Sequence, residues 1–169
     1  MHLDLATALN LISTLAIVGA LVFTGLQVRE ANRARRDQAS VAVIQTTQSE
    51  IWTRALDLVS RLPEKAGLKE IEQSPPETQR ALLEFGVRLE TIGYMVYRRI
   101  VRLETVAELI GGVTLMFWSR AKTWAEEERR RTGNAKHLEW CQWFATQVAE
   151  RHAKDMDRPA YLRDLGWRE

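Results

Sequence analysis

Between Leu5 and Val28 the chain reads LATALNLISTLAIVGALVFTGLQV, a run with no charged side chain, and Arg29, Arg33, Arg35 and Arg36 follow at once. At about 1.5 Å per residue, such a run reaches roughly 36 Å as a helix, enough to cross a hydrocarbon core of about 30 Å with some tilt. The flank before it, Met1 to Asp4, has neither Lys nor Arg. The positive-inside rule therefore predicts a span with its amino terminus outside and the rest of the chain cytoplasmic. A secretory signal peptide would start basic, run shorter and end in a small-residue cleavage site, and the run has none of these. A buried core helix of this length would be expected to carry salt-bridging residues.

Beyond the run the apolar positions keep a helical period. With no Pro or turn cluster before Leu62, the pattern predicts the span to continue as one helix, with Val41, Ile44, Gln48, Ile51, Ala55, Leu58 and Leu62 forming a stripe. Pro63 to Pro76 reads as a connector with one helical turn near Leu68 to Ile71. Ser74, Pro75 and Glu77 carry the pattern of a capping box. In the helix that follows, Leu82, Phe85, Leu89, Ile92 and Val96 form a core stripe, and Gly86 and Gly93 beside it predict a closely packed neighbour. After a reversal near Arg102 to Glu104, Thr105 and Glu108 predict a second capping box. The next stripe is Val106, Ile110, Val113, Phe117, Ala121 and Trp124, with Gly111 and Gly112 as a kink, a loop or a packing seam. Glu126 to Arg131 reads as a solvated helix end pairing Glu126 with Arg130 and Glu127 with Arg131, and Gly133 as its left-handed stop. A last helix from Ala135 to Ala153 places Leu138, Cys141, Phe144, Ala145 and Val148 on one face, with Trp140 and Trp143 looking sideways.

The fold expected is thus all-α: one N-terminal transmembrane helix continuing into a cytoplasmic bundle of about four helices. Its divisions are an anchor at 1–28, a continuation of the anchor helix at 29–62, a connector at 63–76, a helical bundle at 77–155 and a tail at 156–169. The tail keeps Tyr161, Leu162, Leu165 and Trp167, apolar enough to dock on its own bundle or on a partner.

Charge narrows the function. Lys and Arg total 24 against 22 Asp and Glu. Since only Asp4 precedes the Arg cluster, the region after Val28 carries 24 minus 21, or +3. That balance argues against nucleic-acid binding. A single cysteine, Cys141, excludes an intramolecular disulfide and agrees with a reducing compartment. His137, Cys141 and His152 fall roughly on one helix face, but the two histidines are about 22 Å apart along it and cannot share an ion. No phosphate-cradling, zinc-protease or hydrolase motif occurs. The expectation is a protein that is no enzyme, with neither cofactor nor metal.

Surfaces for association remain. Ala16, Ala20 and Thr24 recur every four positions in the span, and Asn10 adds an amide that prefers a partner in lipid. The alternative is a monomeric anchor whose hydroxyls bond back to their own helix. Arg29, Arg33, Arg35 and Arg36 read first as topology determinants with no binding role, the alternative being attraction to anionic lipid headgroups, reduced by Glu30 and Asp37. Trp140, Trp143, Tyr161 and Trp167 are candidate partner contacts.

The order of pieces resembles a bacterial family of small single-pass membrane proteins catalogued only as a domain of unknown function. The likeness covers Leu9 to about Arg151 and rests on the LQVRE membrane exit, LET with RRIV, ELIGG, the Trp118 region and LEW near the end. In that family a Gly stands before the hydrophobic residues where this chain has RRIV, Arg98 to Val101. The resemblance implies a bacterial inner membrane location and supplies no established activity, catalytic residue or ligand. Together these features predict a membrane-anchored, non-catalytic interaction or accessory protein, self-associating or bound to a larger membrane complex. Its partners would be membrane lipids and a protein or a second copy. The competing expectation is a membrane effector or pore former whose bundle senses a signal.

Overall fold

Among the described residues, the computed structural model has six helices. It describes residues 4–46, 49–154 and 166, with side chains throughout except at 5–8, 44, 46 and 154. No strand occurs among the described residues, so the all-α expectation holds. Contacts divide the chain into two compact units, Met1–Ala39 and Ser40–Glu169.

The first unit is the greater part of α1, Leu5–Thr46, a helix of 42 residues. Its apolar side chains from Leu9 to Val28 are exposed. Thr14 donates its hydroxyl to the Asn10 carbonyl and Thr24 to that of Ala20, both at 2.8 Å, so these polar groups are satisfied within the helix.

The uninterrupted helix expected up to Leu62 is not found. After α1 comes Ser49 in extended conformation, and α2, Glu50–Ser60, starts beyond it. Ser49 Oγ accepts the Trp52 N–H at 3.3 Å. A serine side chain competes with the helix for backbone donors, so a break needs neither Gly nor Pro. The break resets the helical phase. Val41 and Ile51 of the expected stripe are exposed, while Ser40, Val43, Trp52, Ala55, Val59 and Leu62 are buried. The gain is the Trp52 ring, which stacks on Phe85 with centroids 4.2 Å apart.

Three further helices complete the second unit's frame, α4 at Pro76–Tyr97, α5 at Leu103–Thr132 and α6 at Glu139–Lys154, with the five-residue α3, Leu68–Glu72, between α2 and α4. The α4 helix lies between α2 and α6, and α5 packs on α6 and α3. Every member of the expected α4 stripe is buried, with Leu82, Phe85 and Leu89 wholly so. Phe85 continues the ring stack to Phe117 of α5 at 5.3 Å. In α5 the expected stripe is buried except at Val113, whose place is taken by Thr114, its hydroxyl bonded to the Ile110 carbonyl. Gly111 faces Val148 of α6 while Gly112 has open space around it, so one glycine of the pair is a seam and the helix continues through both without a loop.

The helix starts differ from the expected capping boxes. Pro75 and Arg102 hold the N-cap positions of α4 and α5 without a side-chain cap. Ser74 instead donates to the Ile71 carbonyl, closing α3, and Thr105 falls inside α5. Two other starts are capped from a distance. Glu127 of α5 accepts the Leu68 N–H at 2.6 Å at the head of α3, and Glu90 of α4 accepts the Cys141 N–H at 2.7 Å at the head of α6. A carboxylate is favoured at a helix amino end by the unsatisfied donors and the helix dipole.

The acidic and basic run at the end of α5 is accordingly not a purely solvated terminus. Glu127 faces α3, and Arg131 pairs with Glu128 rather than Glu127, at 2.7 Å. Arg129 donates to the carbonyls of His137 and Leu138 and to Gln142 Oε1. Gly133 is the expected left-handed stop, at φ 71°. The last helix starts later than expected, at Glu139, because Asn134 Oδ1 takes the Lys136 N–H and turns the chain first.

The reversal between α4 and α5 is a Schellman closure. Arg99 donates to Val96 O and Ile100 to Met95 O, each at 2.9 Å, with Arg99 left-handed at φ 56°. Glycine is the usual residue there. An L side chain in that region costs about 1 kcal/mol.

Candidate functional site

The residues that set the aromatic surface are small or acidic. On α4, Gly93 presents no side chain to α6, and a Cβ built there would fall on the Trp140 carbonyl. The α6 backbone therefore sits directly on α4, held by the bond from Cys141 N–H to Glu90. That contact brings Trp140 and Trp143, one turn apart on α6, over Tyr94 and Tyr97, one turn apart on α4. Ring centroids lie 5.6 Å apart for Tyr94 and Trp140, 4.5 Å for Tyr97 and Trp140, and 5.6 Å for Tyr97 and Trp143. The Trp143 ring meets Tyr97 edge-on at 88°. The Arg98 guanidinium lies over the Tyr94 ring, 5.9 Å from its centroid.

This cluster is not core. Tyr97 is 51 % exposed and Tyr94 42 %, with Trp140 and Trp143 half-buried. Leu83 and Val87 extend it along the outer face of α4. Positions 83, 87, 90, 94 and 97 form a second stripe with the same spacing as the buried one, and its polar member, Glu90, is the residue turned inward as a cap. That second stripe is the sequence signal for Tyr94 and Tyr97, which the reading of single residues misses.

The sequence-named residues distribute as follows. Trp140 and Trp143 meet at this surface. Tyr161 and Trp167 lie outside the described residues. Asn10, Ala16, Ala20 and Thr24 are exposed on α1, with the Thr24 hydroxyl turned back to its own helix. Arg29, Arg33, Arg35 and Arg36 are exposed on α1 beyond them.

The titratable groups near the start of α6 are structural in their placement. Cys141 is buried and its thiol is pushed far above the ordinary range by burial, with Glu90 adding to the shift. It stays protonated at neutral pH and is a poor nucleophile. Burial likewise lowers the His137 pKa, opposed by Glu128, and its ring meets Trp124 edge-on at 5.2 Å. His137 Nε2 is buried with no hydrogen-bond partner among the described residues. His152 lies further along α6 beside Gly111. No group of three His, Cys, Asp or Glu side chains suited to a metal occurs among the described residues.

No curated protein and no solved structure matches the chain. From within the apolar run to within α6, residues 12–148 match the family described as Domain of unknown function (DUF4760), and the chain belongs to it.

Proposed function

We propose that the protein is a membrane-anchored, non-catalytic helical module of a bacterial inner membrane that holds its cytoplasmic bundle at the bilayer as an interaction or accessory unit. The observation that supports this best is the exposure of α1. The uncharged apolar run from Leu5 to Val28, exposed from Leu9 on, calls for lipid around it. The Arg cluster that follows gives the orientation, amino terminus outside. Ala16, Ala20 and Thr24 share one helix face with the spacing of close helix pairs, and Asn10 supplies a polar contact, so the span self-associates or meets a partner helix. On the bundle, the aromatic surface of α4 and α6 is the part presented to a second surface.

Two measurements test the reading. Alkaline carbonate extraction should leave the protein in the membrane pellet, and release into the supernatant would refute the anchor. Gentle solubilisation followed by light scattering should give a homo-oligomer or a larger complex. A lone monomer, unchanged by Ala20→Ile and Asn10→Leu, would refute the association.

A further inference from the structure

We propose that the reversal between α4 and α5, with the aromatic rings beside it, is a lipid-docking tip: Tyr97, Arg98, Arg99, Ile100, Trp140 and Trp143 seat on the anionic phospholipid surface of the membrane that anchors the chain. The inference rests on the membrane-anchor reading above and names what the bundle's aromatic surface meets.

Four observations carry it. The first is the chemistry of the rings, since Trp and Tyr join an apolar body to a polar edge and favour the level of lipid headgroups. The second is charge. Arg102 is taken up by Glu104 at 2.7 Å, whereas Arg98 and Arg99 form no salt bridge among the described residues and are exposed. Each cation near an anionic surface strengthens attachment about fivefold. The third is the apex itself: Ile100 is 44 % exposed between these cations and the buried Val101, and Arg99 holds the left-handed position at which Gly would be unstrained. An apolar apex flanked by arginines matches a bilayer surface in both its layers.

The fourth is tethering. The Arg102 N–H is bonded to Ser40 Oγ at 3.4 Å, and Ser40 is the first residue of the second unit, twelve positions after Val28. Ser40 lies on α1, the helix that carries the apolar run, so the tip is bonded to the anchored helix itself. A second copy is the poorer occupant, because a two-fold contact through this tip would set Arg98 and Arg99 of one chain against those of the other.

The test uses the full chain in vesicles of phosphatidylcholine alone or in equimolar mixture with phosphatidylglycerol. An environment-sensitive fluorophore is placed at Ile100→Cys or, separately, at Ala20→Cys, and acyl-chain-brominated lipid is the quencher. The buried Cys141 thiol does not take the label. The Ile100 probe should be quenched in the mixed vesicles and far less in phosphatidylcholine alone. In the Arg98→Glu, Arg99→Glu variant, docking should weaken by at least about twenty-fivefold, the loss expected from removing two cations alone. A Trp140→Ser, Trp143→Ser variant of unchanged helicity should also lose quenching, which guards against a fault peculiar to the charge reversals. Quenching of the Ala20 probe in every vesicle without quenching at Ile100 overturns the docking and leaves the anchor standing. Absence of quenching at both positions overturns the anchor reading itself. Disulfide cross-linking of two chains through the unlabelled Ile100→Cys, with no quenching of the labelled protein, overturns lipid docking in favour of a second copy.

Discussion

Replacing Gly93 by Ala tests whether the direct seating of α6 on α4 builds the aromatic surface. A Cβ at Gly93 would fall on the Trp140 carbonyl, 2.8 Å from the Trp140 carbonyl carbon and 3.1 Å from Phe144 Cβ. These are main-chain atoms and a first side-chain carbon, so no flexible side chain can swing away. The α6 helix must shift, yet its start is tied to Glu90 through Cys141 and to Arg129 through the His137 and Leu138 carbonyls. Overpacking costs about 1 to 3 kcal/mol, lengthening a charged hydrogen bond about 1.5 to 3, and the better helix propensity of Ala offsets about 1. The net expectation is a loss of about 1.5 to 5 kcal/mol, or roughly 5 to 15 °C in melting temperature for a unit of this size. Far-UV circular dichroism of the full chain in mild detergent measures it. Near-UV dichroism should lose intensity as Trp140 and Trp143 leave Tyr94 and Tyr97. Gly112→Ala is the internal control. Nothing lies near its added methyl, so it should raise stability by about 0.5 to 1 kcal/mol. A Gly93→Ala protein that melts at or above the parent temperature while Gly112→Ala behaves as expected would refute the close-packing argument.

Three further outcomes follow from the same geometry. Glu90→Ala should cost about 1.5 to 3 kcal/mol by leaving the Cys141 N–H unpaired, and Glu90→Gln less, read as a shift in denaturation midpoint. Arg99→Gly should stabilise the fold by about 1 kcal/mol through relief of the left-handed backbone, while weakening attachment to anionic vesicles. His137 has a lowered pKa in the folded state, so below about pH 6.5 the unfolded chain binds the extra proton first. Its share of stability is complete above that pH, falls as pH drops, and stops changing below the folded pKa. Denaturant titrations between neutral and acidic pH should show this slope, and His137→Phe should remove its part of it.

How far the sequence carries differs from element to element. The α4 stripe was legible because a regular apolar period over twenty-two residues leaves one face to bury. Gly93 announced a close neighbour because glycine inside a helix is costly unless something sits on it. The break at Ser49 was not legible, since a serine within apparently continuous helix is ambiguous until Trp52 finds Phe85. Four-residue spacing on one helix points Glu127 to Arg131 as its local partner. Its actual partner, Leu68, is 59 positions away and no local rule points to it. The aromatic surface was half legible: Trp140 and Trp143 stood out by type, whereas Tyr94 and Tyr97 needed the recognition that α4 carries two stripes.

The capping of α3 and α6 by carboxylates from other helices has a consequence for how the unit comes apart. A helix capped by its own neighbouring serine carries its nucleus with it. The start of α6 instead borrows its acceptor from Glu90 on α4, and α3 adds Glu127 on α5 to its own Glu70, so each becomes a favourable helix only once that acceptor is already docked. Formation of these helices is therefore conditional. Amide exchange at Cys141 and Leu68 should follow the global opening of the unit rather than local fraying, although both lie at helix ends. Cutting the chain between α4 and α5 should leave neither fragment able to hold the start of α6 until the two are mixed.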